Sequence, residues 1–183
     1  MKKRKAFVGD GFMTVRMTKK LQKSLGIKEI PSSINSEKPK FLDEWYMNIF
    51  NIRKQWFFIM MESTTFYTIV KPYYAINGSQ DFIDFFMKVI LESFNKENRD
   101  YYFKDFQINE MHLRNTENKA PRRIIVDMAY HAEIKKYEKG KLEIFDELNE
   151  IPQALLGFKY PKEVYRDGIK SLIKECGNII DIN

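Results

Sequence analysis

Residues 44–72 read EWYMNIFNIRKQWFFIMMESTTFYTIVKP. Three runs rich in aromatic and β-branched residues, 44–52, 55–61 and 65–71, are separated by short polar pieces. That pattern is the signature of strands joined by tight turns. A parallel connection needs about a dozen linking residues, so the spacing predicts an antiparallel meander. The middle run, Trp56-Phe57-Phe58-Ile59-Met60-Met61, does not alternate. A half-exposed antiparallel strand does. This strand is therefore expected inside a sheet covered on both faces, by helices, by the tail or by a second subunit. Pro72 ends the third strand, because proline has no N–H to give to a ladder.

Upstream, Met13, Val15 and Met17 alternate with Thr14, Arg16 and Thr18, which predicts a half-buried strand. Thr18 is placed to cap a short helix carrying Leu21 and Leu25, and Gly26 suits its far end. Residues 28–43 hold Pro31, Pro39 and several serines and read as a loop. Residues 1–12 carry Lys2, Lys3, Arg4 and Lys5 against Asp10 alone and read as a flexible basic arm. Gly9-Asp10 is encodable by a purine-rich, ribosome-binding stretch just before Met13. Met13 is accordingly expected as the natural start.

Downstream, Ser79 is expected to cap an amphipathic helix with Phe82, Phe85, Phe86, Val89, Ile90 and Phe94 at helical spacing. Asp81 and Asp84 suit its positive end. Tyr101–Phe106 reads as a short helix. Gln107–Asn115 reads as a strand with Ile108, Glu110, His112 and Arg114 on one side and Met111 and Leu113 on the other. Pro121 opens a helix over Arg122–Lys139 that Gly140 stops. A helical piece at Leu142–Leu148 and a last helix at Pro161–Glu175 complete the chain. The expected fold class is α+β: an antiparallel meander sheet of about four to five strands packed with helices, with a helical C-terminal tail. The expected organisation is an arm at 1–12, a domain at 13–140 and a helical extension packed on it at 141–183.

Composition excludes several chemistries. The chain has 183 residues, one cysteine (Cys176) and two histidines (His112 and His131). No intrachain disulfide is possible, and three Cys/His side chains do not make a four-ligand structural zinc site. His131-Ala132-Glu133 has the H-x-E form of a zinc deaminase but lacks the cysteines that chemistry needs. Gly9-Asp10-Gly11 lacks the Lys-Ser/Thr of a phosphate loop. Cys176 falls in an apolar stretch and reads as buried and inert. Ala6-Phe7-Val8 is too short for a secretory core, and Trp56–Met61 is too short to span a bilayer. A cytoplasmic protein with no membrane partner, cofactor or metal is expected. The net charge is +6, and residues 1–12 supply half of it, so the total is weak support for nucleic-acid binding.

The order of motifs over residues 13–130 resembles a bacterial and phage family of uncharacterised proteins, domain-of-unknown-function family 6933. The matching residues are Thr18-Lys19-Lys20-Leu21, Trp45-Tyr46-Met47-Asn48-Ile49, the basic pair Arg53-Lys54, and a turn from Arg114-Asn115-Thr116 to Arg122. Two departures stand out. Tyr46 takes the place of the family's histidine, and the last turn is interrupted by inserted residues. The resemblance implies an α+β fold and a prokaryotic or mobile-element setting, and no established activity.

Trp45, Asn48, Arg53 and Lys54, with Lys19, Arg114, Thr116 and Arg122, form a candidate anion-accepting surface near one sheet end. The competing reading is structural: Trp45 packed, Asn48 bonded to loop backbone, Arg53 solvated. Arg122-Arg123 sit at an expected helix N-terminus, where cations are mildly unfavourable without an anion. His112 shares a strand face with Arg114, and with His131 the three would suit a metal-free nuclease. The expected function is a non-enzymatic protein-interaction module, binding a protein partner or a second copy, with regulation or inhibition of a host defence system as one form. High aromatic and methionine content and a two-faced apolar sheet motivate it. The alternative is a nucleic-acid-binding regulator or RNase-like effector using the arginine-rich surface.

Overall fold

All three runs within 44–72 are strands in the computed structural model: β3 at Glu44–Ile52, β4 at Gln55–Glu62 and β5 at Thr68–Pro72. The structure describes residues 3–7, 12–27, 38–52, 54–73, 76, 78–98, 102–107, 110–116, 123, 126, 130 and 142–175. β3, β4 and β5 pair antiparallel in succession, with Asn48 opposite Ile59 and Ile59 opposite Val70. The meander is therefore present, but it is three strands of a five-stranded sheet. β2, Phe12–Met17, and β7, Glu110–Asn115, complete an order β5-β4-β3-β2-β7. β2 runs parallel to both β3 and β7. The sheet is mixed, which corrects the expected antiparallel meander. The link from β2 to β3 contains helix α1, Lys19–Ser24, and is long enough for a crossover.

β2 is also buried on both faces rather than one, Thr14 and Arg16 included. Its central place in the sheet explains this. α1 follows the sequence: Thr18 accepts the N–H of Leu21 at 3.3 Å, Leu21 and Leu25 are buried, and Gly26 takes φ +68°. Lys3–Phe7, expected within a flexible arm, form β1, which pairs in parallel with β6, Tyr102–Gln107. β6 likewise replaces the short helix expected at Tyr101–Phe106. Pairing with β1 holds it extended.

α2, Gly78–Glu97, lies on one sheet face, with Phe82, Phe86 and Phe94 fully buried. Each such ring stabilises the fold by about 1.5–3 kcal/mol. Ser79 lies inside this helix rather than capping it. α3, Pro161–Glu175, packs beside α2. Its Tyr165 stacks on Tyr67 with ring centroids 4.0 Å apart, and its hydroxyl pairs with Ser93 at 2.8 Å. Tyr67 donates to Glu97, which also takes Arg166 at 2.8 Å. Burial, reinforced by the Glu97 carboxylate, pushes the Tyr67 phenol above its ordinary range.

The opposite face of β3 and β4 is covered by a 3₁₀ helix at Leu142–Glu150, through Phe145 and Leu148. Asn149 next to it bonds both the N–H and the C=O of Thr68 at 2.7 Å, as a neighbouring strand would. β4 is thus enclosed on both faces by the protein's own chain. Of the expected helix at Arg122–Lys139, the described residues Arg123, Val126 and Tyr130 are helical and exposed. The rest of it, with His131, lies outside the described residues, as does Cys176.

The β4–β5 turn is organised by Glu62, which is fully buried. Its carboxylate accepts the N–H groups of Thr64, Thr65 and Leu42 and the hydroxyls of Thr64 and Thr65. Capture of Thr64 and Thr65, with Phe66 at φ +57°, holds β5 back to Thr68 instead of the expected residue 65. Burial pushes the Glu62 carboxyl up, against the hydrogen bonds from Thr65, Thr64 and Leu42 that pull it down.

Candidate functional site

Three of the quoted motifs meet where β2 and β7 end. The Thr18 hydroxyl donates to Asn48 Oδ1 at 2.7 Å, and the Thr18 N–H reaches Met47 O. The Thr116 N–H reaches Met17 O. Gln22 of α1 closes the corner, donating to Met17 O at 3.0 Å and to Asn115 Oδ1 at 2.6 Å. The Thr116 hydroxyl is buried and has no hydrogen-bond partner among the described residues. Lys19 stands exposed beside Thr18. The corner is held largely by its own bonds, and Asn48 Oδ1 takes the Thr18 hydroxyl and the Ile49 N–H of its own strand rather than loop backbone.

Other expected members do not gather there. Trp45 is fully buried on the α2 side of the sheet, edge-on to Phe86 and Tyr165. Alternation along β3 puts it on the face opposite Asn48. Lys54 is exposed in the β3–β4 turn at φ +68°, with its N–H on Asn51. Arg123 is exposed, and Arg53 and Arg122 lie outside the described residues. Lys20, unremarked as a site residue, lies over the half-exposed Trp56 ring at 4.5 Å.

Arg114 belongs to a different group. Met111 and Leu113 pack towards the α2 side, so His112 and Arg114 face the other way. The register sets Thr14 between His112 and Glu44, and Arg16 between Arg114 and Tyr46. Arg16 and Glu44, each 8% exposed, form an ion pair at 2.5 Å. Tyr46 donates to the other Glu44 oxygen at 2.5 Å. Arg16 also reaches Asn115 O at 3.5 Å. Sequence reasoning saw the polar faces of both strands but not their pairing, so Arg16, Glu44 and Tyr46 went unnoticed.

A second missed feature is the loop from Gln153 to Tyr160. Gln153 and Lys159 form a bridge, with the Gln153 N–H on Lys159 O at 3.1 Å and the Phe158 N–H on Gln153 O at 3.0 Å. Gly157 at φ +64° and Phe158 at φ +63° make the bend. Left-handed backbone is free for glycine but costs a phenylalanine about 1–2 kcal/mol. The loop presents Leu155, Phe158 and Tyr160 at 66%, 75% and 42% exposure. The quoted motifs ended before this loop, which is why it carried no expectation.

A cleft between β5, α2 and the 3₁₀ helix is flanked by two ion pairs, Lys71–Glu92 and Lys96–Asp146. Its charges answer one another. No described helix is long and apolar enough to cross a membrane.

The model of a Domain of unknown function (DUF6933) matches residues 14–164. The chain belongs to this family. The DUF6933 match opens inside β2 and closes inside α3. It therefore takes in the mixed sheet, the Arg16–Glu44 pair and the apolar loop, and it runs past residue 130, where the motif resemblance stopped. No curated protein and no solved structure matches this DUF6933 chain.

Proposed function

We propose that the protein is a non-enzymatic interaction module that inserts the 153–160 loop into an apolar cleft on another protein. The observation that carries this is the exposure of Leu155, Phe158 and Tyr160 on a loop whose backbone is bridged to itself. Apolar and aromatic groups held rigidly in water favour docking, because their ordering cost is met before binding. Aromatic anchors in a pocket dominate interface energetics. The two-faced apolar sheet no longer supports this reading, since the chain covers both faces of β4 itself. Methionine content does not support it either, because Met13, Met17, Met47, Met60 and Met61 are buried. The prokaryotic or mobile-element setting implied by the motifs fits regulation of a host defence system as the concrete form.

Photo-crosslinking tests the proposal. A photoreactive residue at position 158 is expected to trap one discrete protein in the native host, whereas the same residue at exposed position 88 on α2 traps none. With the photoreactive residue kept at 158, the double variant Leu155→Ser/Tyr160→Ser should abolish capture with an unchanged urea midpoint. A product containing only two copies of this chain would assign the loop to self-association. Absence of any product from position 158 would sink the proposal.

A further inference from the structure

On the sheet face turned away from α2, the apolar residues of β3 and β4 give way to charged ones on β2, on β7 and at the start of β3. Arg16 and Arg114 stand directly opposite on adjacent parallel strands. Like charges so placed repel. Glu44 answers one of them, and its two oxygens are already taken by Arg16 and Tyr46. Arg114 is half-buried and has no hydrogen bond or ion pair among the described residues. His112, two residues earlier on β7, shares its face. Glu110 lies on the same face of β7, four residues before Arg114, while Arg114 stands beside an already neutralised Arg16, in a partly desolvated place where electrostatic interactions strengthen. A guanidinium is a planar fork of donors, matched to the oxygens of a phosphate.

We infer that Arg114, with His112 beside it and the Arg16–Glu44–Tyr46 group as a fixed buttress, is a binding site for a phosphate group, carried by a free nucleotide or by a single-stranded RNA. The site is independent of the apolar loop.

Binding is read at low salt with three probes: inorganic phosphate, adenosine monophosphate and a labelled single-stranded oligoribonucleotide. The expected result is saturable binding of at least one probe, weakened roughly tenfold or more by Arg114→Gln and untouched by Lys88→Gln on the far side of the molecule. Arg114→Lys should recover only part of the loss, since it keeps the charge and loses the fork. A small-phosphate site shows equal affinity for the mononucleotide and the oligomer. An RNA site shows affinity rising with oligomer length and a steep salt dependence. Phosphate at matched ionic strength should also raise the urea midpoint of the unmodified protein, which guards against a variant that folds poorly. No binding by any probe, or equal weakening by Arg114→Gln and Lys88→Gln, would overturn the site.

Discussion

Glu62 shows how much one side chain decides. A single buried carboxylate gathers three backbone N–H groups and two hydroxyls, and so sets where β4 stops and β5 starts. Its folded pKa lies above the usual value. The folded state then holds a proton that the unfolded chain has released, so stability falls as pH rises from about 4.3 towards the raised value. Urea midpoints across that range should decline in the unmodified protein, and the decline should vanish in Glu62→Gln. A slope shared by both proteins would assign it to other groups. In the sequence, Glu62-Ser63-Thr64 was legible as a polar turn. The capture of Thr64 and Thr65 was not, because it depends on Leu42 and the sheet bringing Glu62 indoors. Burial also separated Trp45 from Asn48: both belong to one motif, and two-residue periodicity sends them to opposite faces.

Among the elements, helices were the most legible. α2 buries the six apolar residues its spacing picked out, and α3 has the expected bounds. Helical spacing is local, and local chemistry suffices to read it. β6 was misread because a short aromatic run has no period long enough to separate strand from helix. Two substitutions probe how elements are joined. Gly168 lies within α3, and a Cβ there would meet the Phe41 ring at 2.7 Å. Helix propensity alone favours alanine by about 1 kcal/mol. Contact with Phe41, itself edge-on to Tyr165, should reverse that sign, so Gly168→Ala is expected to lower the thermal midpoint. Asn149→Ala removes both bonds to the Thr68 backbone and should cost about 1–3 kcal/mol. Hydrogen exchange at the Thr68 amide should quicken more than at Ile59, deep in β4.

Across the whole molecule, the meander was readable and the sheet order was not. Turn lengths bind only neighbours in sequence, whereas β2 joins β3 and β7 through long connections whose residues do not announce a partner. The same gap hid the charged group on the β2–β7 face, since both strands' polar residues were in view without the pairing that unites them. The position of β2 has a consequence during synthesis. As the ribosome delivers the chain, β2 can join β3 once Ile52 has emerged, yet its second edge waits for β7, about 90 residues after β2 itself. At bacterial and eukaryotic elongation speeds that interval is roughly 5–20 s. For that time the nascent protein carries an open, apolar central strand. Its yield in a cell should therefore depend on holding chaperones far more than the settled fold, with both β2 edges paired, would lead one to expect.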